Sequence, residues 1–308
     1  KPNLIVILGP TAVGKSDMAV AVSLLLKKRG IESEIISADS RQVYKWLNIG
    51  AGKITKKEMK GVVHHGLDLL SPTRKKVYSV SEFKEYADKK IIEISSRGAV
   101  PILCGGTGFY IDAVVDGMVL PEVPPNPELR KILEKKTASQ LYALLSRLDP
   151  KRAQEVDPLN KVRMIRSIEI VKKLGKVPAL KIKKSYNTLL IGLDFDKEAL
   201  MEKVHSRALK RLRYGMVREA RGLRKKRVSF KRMREFGLEY GLLADLLQNK
   251  FTRAQFIERL RIETWKYAKR QRTWFQRRSD IIWLDPRKQS TAQRIYSLVR
   301  NFTQRKFN

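Results

Sequence analysis

The sequence has a single cysteine, no long apolar run and few acidic residues for its length. Because Cys104 is alone among 308 residues, an internal disulfide and a zinc site built from several cysteines are excluded. The longest apolar runs, such as LIVIL and VPILC, fall far short of the ~20 residues that a membrane helix needs. No leader pattern precedes them. These absences predict a cytoplasmic protein that is not held by a membrane.

The shortage of acidic residues leaves a large positive charge. Lys and Arg number 65 against 31 Asp and Glu, which gives a net charge of +34. The stretch from Lys203 to Arg234 contains fourteen Lys or Arg residues and one acid, Glu219. Such an excess repels itself unless a polyanion binds, so the stretch predicts a nucleic-acid surface. A generally basic, solubilising surface is the alternative.

Short apolar runs that end in a small or acidic residue predict the strands. They are Leu4–Gly9, Glu34–Asp39, Val100–Gly106, Thr188–Asp194 and Asp280–Asp285. Helical patterns separate the first three, for example the segment that Ser79 or Ser81 caps and Gly98 ends. Strands alternating with helices predict an α/β fold, a parallel sheet flanked by helices.

The strand pattern stops between Asp116 and Tyr186, where a proline-rich connector leads into helical segments. We therefore predict a helical insertion domain at residues 117–187 within a core made of residues 1–116 and 188–308. From Lys197 to Arg278 the chain is again helical, and it is strongly basic. This part of the core is predicted to form a basic helical C-terminal region.

The segment ILGPTAVGKS, Ile7 to Ser16, has the spacing of a phosphate-binding loop (P-loop). Its glycines let backbone N–H groups close around anionic oxygens, Lys15 adds a charge, and the hydroxyl of Ser16 can reach Mg²⁺. A strand pattern before the loop and a helix pattern after it fit this interpretation. The loop predicts a phosphate group without indicating which compound carries it.

Two further segments are predicted at the same edge of the sheet, because ligands bind at the carboxyl ends of parallel strands. Asp39 ends the second strand, where it either caps a helix, positions Mg²⁺ or acts as a general base. Gly105, Gly106 and Thr107 end the third strand. They form either a clamp for a phosphate or sugar or an ordinary tight turn.

The segment TWKYAKRQRTWF mixes aromatic and cationic residues. Tyr267, Gln271 and Trp274 share one helical face, which favours core packing, while Lys266, Arg270 and Arg277 form a stripe suited to phosphates or bases. His64 and His65 have no cysteine or nucleophile nearby, so we interpret them as structural.

Together these segments resemble the bacterial-type tRNA dimethylallyltransferases. The matching motifs are GPTAVGKS, SADSRQVY with NIGAGK, HHGLDLLSP, PILCGGTGFYIDAVVDG, RMIRSIEI and YAKRQRTWF, in the family's order and across nearly the whole chain. The resemblance implies transfer of a dimethylallyl group from its diphosphate to the exocyclic N6 amine of the adenine just 3′ of the tRNA anticodon. It also implies assistance by Mg²⁺. No obligate protein partner is evident from the sequence.

The resemblance further implies roles for individual residues. Asp39 would be the general base, with Lys15, Thr107 and Arg130 beside the reacting groups, and Ser16 would hold Mg²⁺. The donor diphosphate would be bound by Gly9, Thr11, Ala12, Val13, Gly14, Lys15 and Ser16. The tRNA would be bound by Asp39, Ser40, Arg41, Gln42, Val162, Arg163, Met164, Ile165, Arg166, Lys269, Arg270 and Gln271. Arg41 and Val162 depart from the usual methionine and glutamine of the family, and FGLEYGLL replaces its glycine-tyrosine-lysine-glutamate run.

Two other functions are compatible with parts of the sequence. A P-loop kinase of nucleotides or small metabolites would use the same loop for ATP, but it leaves the basic helical region unexplained. An RNA-binding module whose loop only senses a nucleotide would have no use for Asp39 and Thr107 at the same edge of the sheet.

Overall fold

The computed structural model describes residues 1–74 and 76–304, which form two compact units. One unit comprises Lys1–Gly117 and Lys184–Asn308, and the other comprises Met118–Lys183. The second unit thus begins one residue after the predicted start of the insertion and ends four residues before its predicted end. The proline-rich connector that suggested the boundary lies just inside this unit.

The larger unit is built on a six-stranded sheet in which every neighbouring pair is parallel. The strand order is β3-β2-β4-β1-β7-β8. Its strands are β1 Asn3–Leu8, β2 Ser33–Ala38, β3 His64–His65, β4 Val100–Gly105, β7 Asn187–Leu193 and β8 Ile281–Leu284. All five predicted strands are present, which confirms the α/β fold. The sixth, β3, has two residues and therefore gives no periodicity to detect.

Helices cover both faces of this sheet. They are α1 Lys15–Lys27, α2 Lys56–Met59, α3 Val80–Ser96, α4 Gly108–Val115, α9 Lys197–Arg213, α10 Met216–Lys225, α11 Phe230–Glu235, α12 Leu238–Leu247, α13 Arg253–Gln276 and α14 Thr291–Gln304. Alternate residues of β1 point to opposite faces: Leu4 and Val6 pack with α3, α4 and α10–α13, whereas Ile5 and Ile7 pack with α1, α9 and α14.

Side-chain caps fix the starts of helices α3 and α13. Ser79 caps α3 through a reciprocal pair of hydrogen bonds with Glu82, as the Ser79 alternative predicted. Thr252 and Gln255 form the same arrangement at the start of α13, which runs for 24 residues. None of the helices in residues 1–74 and 76–304 is both long and apolar enough to cross a bilayer.

The strand register brings three loops together at one edge of the sheet. Leu8 pairs with Gly105, and Gly105 pairs with Ala38, so β1, β4 and β2 end side by side. The P-loop, the segment that starts at Asp39 and the segment Gly106–Thr107 therefore leave the sheet as neighbours. This is the edge at which the sequence predicted the site.

The smaller unit contains four helices and one short antiparallel pair of strands. Its elements are β5 Met118–Val119, α5 Pro127–Leu133, α6 Ala138–Leu148, α7 Pro150–Glu155, α8 Lys161–Leu174 and β6 Lys181–Ile182. Leu141 and Leu145 of α6 pack with Met164 and Ile168 of α8 in a core of its own. The prediction of a helical unit is correct apart from the two strands.

Candidate functional site

The P-loop turns sharply out of β1 and wraps into the start of α1. Gly9 has φ 145°, and a Cβ there would collide with the carbonyl oxygen of Leu193 on β7. Only glycine permits this close approach of two backbones. Gly14 follows in a left-handed conformation as the N-cap of α1, so the free N–H groups of the first helical turn face the loop. The fold thus gives this loop the backbone geometry that an anion site requires.

Lys15 lies half-buried beneath this loop, and its Nζ donates to the carbonyl oxygen of Pro10 at 2.7 Å. Burial lowers the pKa of Lys15 to about 8, and the charges of Arg207 and Arg211 act in the same direction, while Asp39 opposes them. The ammonium is thus short of compensating negative charge. A diphosphate bound in the loop would provide it.

Two arginines of α9 extend the cationic site. Arg207 donates from Nη1 to Oγ1 of Thr11 at 3.3 Å, and it lines a cavity beside the P-loop together with Ala12, Arg211 and Glu239. Burial and the neighbouring Arg211 lower the pKa of Arg207 to about 10.

When the whole basic stretch is interpreted as a surface, the inward position of Arg207 and Arg211 is not predicted. A signal was available, because Arg207 and Arg211 recur at helical spacing with the buried Leu200, Val204 and Ala208. The two guanidinium groups therefore lie on the inward side of α9, next to the core.

Gln271 on α13 connects two of the loops. Its Oε1 accepts the backbone N–H of Thr11 at 2.8 Å, and its Nε2 donates to the carbonyl oxygen of Gly106 at 2.7 Å. The side chain is only 7 % exposed. A Cβ at position 106 would collide with Nε2 of Gln271, so any larger residue there would displace this amide. Gln271, predicted to bind tRNA, is instead committed to holding the P-loop against the end of β4.

Asp39 leads the segment after β2 with one carboxylate oxygen engaged. Oδ1 accepts the backbone N–H groups of Arg41 at 2.8 Å and Gln42 at 3.3 Å. In the part of the chain that the structure describes, Oδ2 accepts no hydrogen bond. Asp39 therefore caps a turn and not a helix, in contrast to the predicted helix-cap alternative, and its second oxygen is left available.

Thr107 braces this segment rather than capping its own helix. Its Oγ1 accepts the backbone N–H of Ser40 at 3.2 Å, and its own N–H donates to the carbonyl oxygen of Ala38 at 3.3 Å. Gln42 adds a contact from its Nε2 to the carbonyl oxygen of Gly52 at 3.3 Å. The segment is thus fixed from the sheet edge and from the loop that follows.

The predicted division of α13 into an internal face and a cationic stripe is largely present. Trp274 donates from Nε1 to Oδ2 of Asp112 at 2.7 Å, and Tyr267 is half-buried. Lys266 and Arg277 of the predicted cationic stripe are exposed, and so are Lys269 and Arg270. Of the three residues of this helix predicted to contact tRNA, Lys269 and Arg270 are accessible.

The loop of residues 48–53 is held by the one acid of the basic stretch. Glu219 accepts the backbone N–H groups of Asn48, Ile49 and Gly50 at 2.7–3.0 Å and the hydroxyl of Tyr240 at 2.7 Å. Glu219 is therefore an internal anchor. The charges of the sequence identify Glu219 only as the one acidic residue among fourteen cations.

Most cations between Lys203 and Arg234 are exposed, as the nucleic-acid interpretation requires. Arg207 and Arg211 turn inward, and Arg232 is buried, where its guanidinium donates to the carbonyl oxygens of Pro72 and Lys76. The exposed cations cluster on α10 and the turn after it: Arg218, Arg221, Arg224, Lys225, Lys226 and Arg227.

In the smaller unit, Glu169 organises the predicted residues. Its side chain is 1 % exposed and pairs with Nε and Nη2 of Arg130, both at 2.8 Å. It also lies 3.4 Å from Nη1 of Arg166 and accepts the backbone N–H of Asn126. Arg130 is therefore the ion-pair partner of a buried acid, which lies in the RMIRSIEI motif but was assigned no role from sequence.

The predicted tRNA contacts of α8 divide by exposure. Val162 is 79 % exposed and Arg163 is also exposed, while Arg166 is half-buried. Met164 and Ile165 lie in the core of the smaller unit, so their side chains hold the helix in place and do not face solvent. Of the five residues of this helix predicted to contact tRNA, Val162, Arg163 and Arg166 are therefore the ones with accessible side chains.

The two neighbouring histidines have structural partners, as predicted. Nε2 of His65 lies 2.6 Å from Glu34, and Nδ1 of His64 lies 2.8 Å from the carbonyl oxygen of Val62. Among residues 1–74 and 76–304, no three His, Cys, Asp or Glu side chains come together as a metal site.

Comparison with known proteins gives consistent results. The family model described as IPP transferase matches residues 42–278. The chain is 36 % identical over 295 residues to a Bacillus licheniformis protein named tRNA dimethylallyltransferase, covering 92 % of this chain and 91 % of that one. It is 35 % identical over 305 residues to a Synechococcus elongatus protein of the same name, with 98 % and 96 % covered.

Two solved structures are similar over almost all of this chain. The full-length tRNA isopentenylpyrophosphate transferase of Bacillus halodurans superposes with a TM-score of 0.74 at 32 % identity, covering 99 % of this chain and 98 % of that one. A eukaryotic dimethylallyltransferase acting on tRNA superposes with a TM-score of 0.82 at 26 % identity, covering 99 % and 80 %.

Proposed function

The chain belongs to the IPP transferase family, and we propose that it transfers a dimethylallyl group from dimethylallyl diphosphate to the exocyclic N6 amine of an adenine in tRNA. The adenine is the one just 3′ of the anticodon. One observation carries the proposal: a P-loop with uncompensated cations opens at the same sheet edge as a fixed aspartate with a free oxygen. Neither the site nor the relatives favour a kinase.

The P-loop is the proposed site of the donor diphosphate. As the allylic C–O bond breaks, negative charge develops on the departing diphosphate, and Lys15, Arg207 and the amides at the start of α1 stabilise it. These groups are already in place, because Gln271 and Arg207 both hold Thr11 of the loop through hydrogen bonds. Lys15 would exchange its bond to Pro10 for one to the diphosphate.

The N6 amine forms the new bond to the allylic carbon, and Asp39 receives the proton that the nitrogen loses. The amine is a weak nucleophile because its lone pair is delocalised into the ring, so a positioned base contributes directly to the rate. Oδ2 of Asp39 is the proposed acceptor, while Oδ1 is held by two amides. Thr107 keeps the segment in position through Ser40.

Mg²⁺ is proposed to bind with the donor. The chain offers no carboxylate cluster among the described residues, but Mg²⁺ commonly takes one or two protein oxygens together with substrate phosphates. The hydroxyl of Ser16, in the first turn of α1, is such an oxygen. The ion would neutralise part of the charge on the diphosphate when bound.

The exposed cations of α10 and α13 are the proposed surface of the larger unit for the tRNA backbone. In the smaller unit, Val162, Arg163 and Arg166 are separately proposed to contact tRNA. An RNA phosphate chain needs a run of accessible Lys and Arg residues, which these helices provide. A tRNA substrate would place the activity in the cytoplasm.

The proposal is tested by incubating the protein with dimethylallyl diphosphate, Mg²⁺ and tRNA and measuring released diphosphate and prenylated adenosine. Asp39→Asn keeps the shape of the side chain but cannot take the proton, so we expect single-turnover rates ~10²–10⁴ lower with unchanged donor affinity. A rate that recovers at high Mg²⁺ would instead assign Asp39 to metal positioning. ATP consumption without prenylated RNA would refute the proposal.

A further inference from the structure

Trp46 has an unusual backbone conformation in the segment that follows Asp39. Its φ is 66°, in the left-handed region that bulky side chains rarely adopt. Its side chain is nevertheless 38 % exposed, so burial in the core does not account for this arrangement. A tryptophan that is held in an unfavourable backbone conformation without being fully buried is a candidate for a functional role.

The chain on both sides of Trp46 is firmly anchored. The backbone N–H of Lys45 donates to the carbonyl oxygen of Leu70 at 2.8 Å, and that of Asn48 donates to Glu219 at 2.9 Å. Leu47 is fully buried. The surrounding contacts therefore fix the backbone from which the indole of Trp46 extends.

A cation without an acidic partner among the described residues lies over the indole, within a short run of exposed cations. Nζ of Lys226 lies 4.6 Å from the centroid of the Trp46 ring. Lys225, Lys226 and Arg227 are exposed, and within the part of the chain described by the structure none of them forms an ion pair. An exposed tryptophan beside free cations has the chemistry that binds single-stranded RNA, in which bases stack on the ring and phosphates pair with the cations.

We propose that Trp46 is a stacking platform for an unpaired nucleobase of the RNA substrate, with Lys226 contacting a neighbouring phosphate. The inference rests on the proposed function. Trp46 lies seven residues after the proposed base, Asp39, in one continuous segment. An acidic protein partner would satisfy the cations but would gain little from an exposed indole face, so the charge and the ring together favour RNA.

The experiment measures the affinity of the whole protein for an anticodon stem-loop RNA across a salt series. Trp46→Gly removes the ring and suits the left-handed backbone, so we expect at least about fivefold weaker binding, on the scale of one base stack, with unchanged or raised thermal stability. Trp46→Phe keeps a stacking face and should retain most of the affinity. A merely structural tryptophan would instead lose stability on replacement by glycine.

Salt dependence separates the ring from its cationic neighbour. Trp46→Gly should leave the slope of log K against log salt unchanged, whereas Lys226→Gln should reduce it by about 0.7 for single-stranded RNA. A stem-loop with abasic loop positions should bind the wild type and Trp46→Gly equally.

Wild-type affinity retained by Trp46→Gly would overturn this inference. The proposed function would still stand if that variant prenylates tRNA normally, whereas failure of the wild-type protein to prenylate tRNA would refute the proposed function itself.

Discussion

Replacing Gln271 with leucine tests whether this residue holds the P-loop or contacts RNA. The substitution leaves the carbonyl oxygen of Gly106 buried without a partner, which costs about 1–3 kcal/mol. The N–H of Thr11 is only partly buried and can be hydrated, so removal of its bond costs about 1 kcal/mol. We therefore expect the free energy of unfolding to fall by about 2–4 kcal/mol.

For a unit of this size that change lowers Tm by roughly 4–16 °C, which calorimetry or a thermal-shift assay resolves. Because Thr11 lies in the P-loop, kcat/KM for the donor should also fall, by up to ~10²-fold, the scale for slight misplacement of reacting groups. Affinity for tRNA and its salt dependence should not change.

Arg270 provides the matched control, because it is the adjacent residue of α13 and is exposed. Arg270→Gln should leave the free energy of unfolding within about 0.5 kcal/mol of the wild-type value, as for ordinary surface substitutions. If Arg270 contacts a phosphate, the salt slope should fall by about 0.7–0.9. Should Gln271→Leu weaken tRNA binding while Tm and donor kinetics are normal, the bridging role would be refuted.

Two further predictions concern charge. Since burial lowers the pKa of Lys15 to about 8, the donor-free enzyme loses this positive charge as the pH rises, so kcat/KM for the donor should fall above about pH 8. Lys15→Arg should abolish that fall, because a guanidinium stays charged, and an identical pH profile in this variant would contradict the assignment. Neutralising exposed cations of the basic stretch should make the affinity for tRNA less dependent on salt. The slope of log K against log salt should fall by about 0.7–0.9 for each RNA phosphate that no longer has a cationic partner. An unchanged slope would show that tRNA binds to another surface. The residues to change are Arg224, Lys225, Arg227 and Lys231.

The sheet and the general location of the site were predictable from sequence because local patterns encode them. Continuous apolar runs identified β1, β2, β4, β7 and β8, since strands buried on both faces lack alternation. The spacing of the glycines, Lys15 and Ser16 in the P-loop motif indicated the conformation of that loop. The parallel order of the strands then placed Asp39 and Gly106 beside it, because the carboxyl ends of parallel strands meet.

Contacts between distant segments were not predictable in the same way. Gln271 lies 260 residues from Thr11, and nothing in the periodicity of α13 indicates which loops its buried face meets. Glu169 looks like an ordinary helical acid until Arg130 and Arg166 are placed around it. Arg207 is an intermediate case, because its helical spacing with apolar residues indicated an inward direction but not its partner.

Glu219 has a consequence for any attempt to alter the charge of this protein. To make the RNA surface more basic, a designer would first replace Glu219, because it is the one acid among the fourteen cations of the basic stretch. Yet this carboxylate ties three amides and a tyrosine of separate segments to α10. Such a redesign would leave the backbone N–H groups of Asn48, Ile49 and Gly50 and the hydroxyl of Tyr240 without their acceptor, so the residue that a charge map ranks as dispensable is one that anchors the loop of residues 48–53.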